Sequence, residues 1–413
     1  MNFRSRFLLS VIILAFVVHA ALGAGISRSK ASNSQETLTI YTYESLLDWG
    51  NDTEAVEAAV FDQFEQDYSV TINVVKTADA IESMTKLYIE RANPVADVII
   101  GIDNNMVFQA VETNLLEPYT PTNIDDIDSD LVKILDPDHH VVPYDYGLIS
   151  LIYKNSSFYD TDLTNLTFQD IIDLNLAQKM VISNPLTSST GLGFLLWTIA
   201  AYEEINRTMI RKHMDSWLDS WEYIMVAGGN VSSTGWTGWW SSIRDDILVV
   251  PSWGDAWVIW DNEASGRPIM ASYGTDPAYD YFWNGEVPSI TATVSHEGGK
   301  PNGWLQVEGI GLVKNAQHPE LAKKFIDWFL NETVQQYIAE NNWMYPANTK
   351  VDLPSSYIYA LDPAQVKILN PISDEPVVGD GQELTSPGLK WPAVLVLAIV
   401  GTISVIKRRR KRI

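Results

Sequence analysis

Between Leu38 and Ile102 the hydrophobic period switches repeatedly, and this alternation constrains the fold more tightly than any other feature of the chain. Leu38–Tyr43 alternates apolar residues with threonine, a strand pattern. Thr53–Tyr68 carries Val56, Val60, Phe61 and Phe64 at helical spacing. Val70–Val75 reads as a second strand, Ala80–Arg91 as a helix and Ala96–Ile102 as a fully apolar strand. Strand–helix–strand–helix–strand predicts an α/β lobe with a mostly parallel sheet. Ligands of such sheets bind beyond the carboxyl ends of the strands. Tyr43, Asp79 and Asp103 fall at or just after those ends.

The middle of the chain repeats the pattern. Val141–Tyr153, Met180–Ile182 and Pro268–Ser272 read as strands, and Leu192–Tyr202 and His213–Met225 as helices, so a second α/β lobe is expected. Leu305–Val313 alternates and fits a strand returning to the first lobe. Pro319–Leu330 is a periodic amphipathic helix with proline near its start, and Thr333–Glu340 is another helix. The boundaries expected are 37–143 for the first part of lobe 1, 144–303 for lobe 2, 304–370 for the return to lobe 1 with the C-terminal helices, and 371–390 for a linker.

Both ends carry targeting signals. Arg4 and Arg6 precede the apolar run Phe7–Val18 and the small residues Ala20–Ala24, the pattern of a secretory signal peptide over 1–24. The 16-residue apolar run Trp391–Ile406 is followed by six basic residues, Lys407–Arg412. It is short against the ~20 residues of a spanning helix. Trp391 and Lys407 extend its reach at the interfaces, which favours a transmembrane anchor with the 407–413 tail inside the cell. A processed sorting signal is the alternative, since Ser386-Pro387-Gly388 precedes the run. The chain has no cysteine, so it has no disulfide, no thiolate metal site, no lipid-modified N-terminal cysteine and no cysteine nucleophile. Between the terminal segments lie 20 of the 28 Lys and Arg residues and all 52 acidic ones, a balance of −32 that disfavours nucleic acid and anionic membranes. It suits a cationic small molecule, and plain solubility in salt more readily still. Six Asn-X-Ser/Thr sequons, at Asn51, Asn155, Asn165, Asn206, Asn230 and Asn331, fit an exported surface. His139-His140 falls in a polar loop and reads as solvated rather than metal-binding.

Two features point to a binding cleft. In NPLTSSTGLGFLLW, residues 184–197, four hydroxyl residues run through Thr187–Thr190 into Gly191 and an apolar helix. Such a helix start is either an ordinary cap or an anion site. Several of the 15 tryptophans and 18 tyrosines sit beside Gly, Pro or Asp rather than at core periodicity: Tyr41 and Tyr43, Trp49, Trp236, Trp239 and Trp240, Trp253, Tyr273 and Tyr279, Trp343 and Tyr345. Each alone is more often packing than contact; together, on loops of two lobes, they suit a cleft for a flat cation.

At this point the chain resembles the thiamine-binding substrate-binding proteins of ABC importers. The stretches that carry the resemblance are YTYESLLDWG (41–50), ADVIIGIDNN (96–105), PYDYG (143–147), NPLTSSTGLGFLLW (184–197), SYGTDPAY (272–279), LQVE (305–308) and NWMYP (342–346), in the family's order over roughly residues 37–355. The resemblance implies a two-lobed, type II periplasmic-binding-protein-like fold, each lobe a mixed, mostly parallel sheet flanked by helices. It implies hinge strands near Val141–Tyr146 and Trp304–Glu308, no catalysis, no cofactor, and delivery of thiamine to an ABC permease by a monomer, which the C-terminal run would tether to the membrane. By position, it implies that Tyr43 and Trp49 line the cleft, that Asp79 lies near the ligand, and that Ser188, Ser189, Thr190 and Gly191 bind the hydroxyethyl or phosphate end. Tyr273 and Tyr279 then flank the rings and Trp343 closes the site. The chain is longer than the family between Trp217 and Trp253, and the family's cleft tryptophan corresponds to Trp253, with Trp236 as the alternative.

Rival readings are a thiamine-processing enzyme, which the missing cysteine disfavours, a receptor for another cation such as a polyamine, and an adhesion module. Thiamine, its monophosphate and its diphosphate stand as alternative ligands.

Overall fold

The computed structural model describes residues 35–370, apart from 204, 206 and 230–232. The signal peptide, the linker beyond 370, the apolar run 391–406 and the basic tail therefore lie outside the described residues, as do the sequons at Asn206 and Asn230. Among the described residues no helix is long and apolar enough to cross a membrane.

The first three strands follow the expected alternation: β1 Thr37–Tyr43, β2 Thr71–Thr77 and β3 Val98–Asp103. Both β2 and β3 pair with β1 in parallel. Two helical segments, Thr53–Glu57 and Gln63–Tyr68, flank a π-helical turn at Ala58–Asp62 and together connect β1 to β2. Helix Ala80–Glu90 connects β2 to β3, and Asp79 caps it by accepting from the Ile81 amide at 3.1 Å. After β4 (Leu116–Glu117) comes β5, a 14-residue strand Val141–Lys154. Then follow β6 Met180–Ser183, β7 Leu248–Val250, β8 Ile269–Tyr273, β9 Ile290–Thr293, the 12-residue β10 Asn302–Val313, β11 Tyr345–Pro346 and β12 Lys367–Ile368.

One mixed sheet takes the order β2-β1-β3-β10-β5-β8-β6-β7. At one end β2, β1 and β3 are mutually parallel; at the other, β8, β6 and β7 are. Between them β10 and β5 pair antiparallel with each other and with their outer neighbours. The carboxyl ends of β1, β2 and β3 and those of β6, β7 and β8 therefore lead into the segments that build the site. Beside Glu308 the register of β10 slips against β5, skipping Tyr144, and one residue later it slips against β3, skipping Gly101. Gly101 needs to be glycine: its φ is +105°, and a Cβ would lie 2.6 Å from the Tyr43 ring.

Helix Ser189–Tyr202 is buried almost all round because it packs on β5 and β10. The loop-like run Gly235–Ile243 is a helix instead. Trp236, Trp239 and Trp240 stand at i, i+3 and i+4, one helical face, which the two glycines disguise. Trp239 Nε1 donates to the Phe168 carbonyl at 2.7 Å and Trp240 Nε1 to Thr198 Oγ1 at 3.0 Å, fixing both in the core. Tyr41 is likewise core, its hydroxyl donating to Glu90 at 2.7 Å. The helix expected at Thr333–Glu340 splits into Glu332–Gln335 and Ile338–Asn341.

Candidate functional site

A cavity of about 480 Å³ opens where these strand ends converge. From the N-terminal strands it is lined by Tyr43, Trp49 and Asp79. Ser189, Thr190, Trp253, Tyr273 and Tyr279 line it from the middle of the chain, and Trp343 from the C-terminal part. Of the residues expected from sequence, Ser188 and Gly191 are buried beside the cavity without lining it. Gly191 lets the first helical turn ride on β6, since a Cβ there would meet the Ser183 carbonyl oxygen at 2.4 Å. Trp253 faces the cavity and Trp236 is buried elsewhere.

The walls are aromatic. Trp49 meets Trp253 at 5.2 Å, Trp257 at 5.5 Å and Tyr279 at 5.8 Å, each edge-to-face. Tyr279 meets Trp343 at 5.4 Å in the same geometry. Trp343 holds a left-handed backbone, φ +54°, rare for so large a side chain. Three hydrogen bonds fix it: its amide to the Ile338 carbonyl at 3.2 Å, its Nε1 to the Trp49 carbonyl at 3.1 Å, and Thr275 Oγ1 to its own carbonyl at 2.5 Å. Trp253 Nε1 donates to Ser272 Oγ at 3.0 Å.

Asp79 does two jobs. Besides capping its own helix, its Oδ1 accepts from the Ser189 amide at 3.1 Å, across the cavity from the opposite side of the sheet. The helix start that the hydroxyl-rich stretch predicts is thus answered by a carboxylate of the protein itself. Burial pushes the Asp79 carboxyl up to about 6, against the pull of the Ile81 and Ser189 amides.

The floor is acidic. Glu308, on β10, lines the cavity; its Oε2 accepts from Tyr144 at 2.6 Å and Tyr43 at 2.8 Å, and its Oε1 from Gln306 at 2.9 Å. Asp145 stands opposite it in register on β5 and Asp103 opposite it on β3. Asn342 Nδ2 donates to Asp145 Oδ2 at 2.6 Å, while Asp145 Oδ1 is buried with no partner. Asp103 accepts from the Asn105 side chain at 2.8 Å and from the Asn105 and Met106 amides. Burial pushes Glu308 up to about 7 and raises Asp145 and Asp103 well above the ordinary range; the Glu308 charge pushes the two aspartates further. Asp276, which also lines the cavity and accepts from the Tyr273 amide at 3.4 Å, is pushed up to about 7 by burial. Among the described residues, no Lys, Arg or His forms an ion pair with any of these carboxyls.

Sequence reasoning missed Glu308, Asn342 and Trp257 as lining residues. Glu308 had a signal: it is the one acid in the buried strand LQVEGIGLV, and an acid is not placed there without a reason. Trp257 lies one helical turn after Trp253.

Comparison with known proteins bears on the fold and the family. The "Thiamine-binding periplasmic protein" of Brucella suis biovar 1 is 26% identical over 364 residues, covering 87% of this chain and 92% of that protein. Its namesake in Escherichia coli K12 is 25% identical over 334 residues, covering 80% and 86%. A solved "Periplasmic thiamin binding protein" superposes with a TM-score of 0.62 at 24% identity, covering 81% of this chain and 90% of its own, which shows the fold. Residues 59–364 match the bacterial extracellular solute-binding protein family, so this chain, with its mixed sheet and its cavity at converging strand ends, belongs to that family.

Proposed function

We propose that this protein is an extracytoplasmic receptor that binds thiamine, or a phosphate ester of it, and hands it to an ABC permease. One observation carries the ligand class: aromatic walls drawn from distant parts of the chain surround a floor of buried carboxyls that no basic side chain among the described residues pairs with. A permanent, flat organic cation supplies the missing charge and presents faces to the rings. The two curated relatives named for thiamine support the choice among such cations. Tyr43, Trp49, Trp253, Tyr273, Tyr279 and Trp343 hold the rings. The helix start over Ser188, Ser189, Thr190 and Gly191 holds the hydroxyethyl or phosphate end, reaching the cavity through Ser189 and Thr190, and Asp79 lies near the ligand.

In this proposal residues 37–143 with 304–370 form one lobe and 144–303 the other, and the lobes close about β5 and β10 as the ligand enters. The 391–406 run tethers the receptor to the outer face of the membrane with its basic tail inside. The protein performs no chemistry on its ligand and works as a monomer.

Tryptophan fluorescence, titrated with thiamine, its two phosphates and spermidine, tests the ligand. Quenching by a thiamine form with sub-micromolar affinity is expected. No response to any thiamine form at ~100 µM, which corresponds to only about −5 kcal/mol, sinks the proposal. Tight binding of spermidine alone identifies a polyamine receptor instead.

A further inference from the structure

Five buried carboxyls, Glu308, Asp145, Asp103, Asp79 and Asp276, lie in or under the cavity wall, and the family resemblance assigns a role only to Asp79. Glu308 and Asp145 are direct cross-strand partners on β10 and β5, the two long strands that join the ends of the sheet. Like charges so placed repel. Asp103 faces Glu308 from β3, and the Asp79 charge reaches it from the end of β2. The phenols around the pair are Tyr43 from β1, Tyr144 from β5 and Tyr273 from β8. Burial raises all three, so they act as neutral donors. Asn342 and Gln306, which donate to Asp145 and Glu308, are uncharged. The partnerless Asp145 Oδ1 marks the pair as incompletely compensated. Glu308 faces the cavity; Asp145 lies behind it.

We propose that Glu308 and Asp145 hold one proton between them in the empty cleft and release it when an organic cation binds over Glu308, which then serves as the ligand's counter-ion. The inference rests on a thiamine-type cation occupying the cavity. Its balance is simple: one positive charge enters, one proton leaves to solvent, and no bond within the ligand changes. The upward displacement of both carboxyls fits a proton that is held near neutral pH and expelled by an incoming positive charge. The pair as a unit carries the proton.

The test is calorimetry of the full chain with thiamine, at several pH values, in buffers of different ionisation enthalpy. About half a proton released per thiamine at pH 7, rising toward one at pH 6 and falling to nearly none at pH 9, is expected. Glu308→Gln should remove most of the release at pH 7, because the carboxyl under the cation is gone, and Asp145→Asn should move the release to lower pH, because the facing like charge goes while the burial stays. Binding of thiamine without proton exchange, or release at pH 7 that is unchanged in Glu308→Gln, overturns the inference. A carbon-13 titration of the carboxyls in the ligand-free chain reads the same proton without any ligand. If thiamine produces no heat, the ligand assignment fails, and this titration alone decides: both carboxyls ionising below about pH 5, the ordinary carboxylate range, overturns it.

Discussion

The Asp79 carboxylate accepts a hydrogen bond from the Ser189 amide at 3.1 Å, joining the end of β2 to the start of a helix from the other end of the sheet. This bond links two parts of the cavity lining and places a protein anion where a phosphate ester's anion is proposed to sit. Asp79 therefore bears on both stability and specificity.

Its effect on stability has a definite sign. The folded carboxyl is raised to about 6 from an ordinary 3.8, so its contribution is present below the unfolded value and is lost as pH rises through the folded one. Above pH 6 the buried charge costs on the order of 3 kcal/mol. Asp79→Asn keeps an acceptor for both amides and removes that charge. Thermal melts should show the variant more stable than the parent at pH 8, with the gap shrinking at pH 4, while thiamine binds the variant less tightly. Equal differences at both pH values would show that Asp79 is not the titrating group.

Trp343 and Ser189 should separate the two ends of the ligand. Trp343 packs edge-to-face on Tyr279 at 5.4 Å, against the ring region that every thiamine form shares. Trp343→Ala should weaken thiamine and its phosphates alike, by roughly 2 kcal/mol, or about thirtyfold. Ser188→Ala with Ser189→Ala should instead narrow any preference for the phosphorylated forms, since charge-assisted bonds contribute roughly 1.5–3 kcal/mol each. Parallel titrations of each form give the ratio. A serine pair that weakens all forms equally would make the 188–191 helix start a structural cap only.

Gly101 supports the floor indirectly. A methyl there would press into the Tyr43 ring at 2.6 Å and would meet a φ of +105°. Gly101→Ala should lower stability by about 1–3 kcal/mol and tilt Tyr43 off Glu308. A denaturant melt and a thiamine titration check this; unchanged values in both would remove Tyr43 from the site.

Much of the site could be read from the residues because parallel strands deliver their carboxyl ends to one place. Tyr43, Asp79, Trp253 and Tyr273 were placed by that rule and by motif position. What stayed hidden depended on register and on helix phase. Nothing in the sequence shows that β10 slips beside Glu308, or that the slip brings Tyr144 and Tyr43 onto one carboxylate. Nor does a glycine-rich WTGWW run announce that Trp239 and Trp240 belong to the core, because the same residues occur in loops. That Asp79 would answer the Ser189 helix start became legible only with the two strand ends side by side.

The central claim is that aromatic walls over buried carboxyls recognise a permanent organic cation of thiamine's shape. The most direct measurement is the affinity of the full chain for thiamine against that of an uncharged analogue with the same two rings. Sub-micromolar binding of thiamine, with the uncharged analogue weaker by roughly a hundredfold, about 2.7 kcal/mol, is the expected result. Equal affinity for the two, or no binding of thiamine, would contradict it.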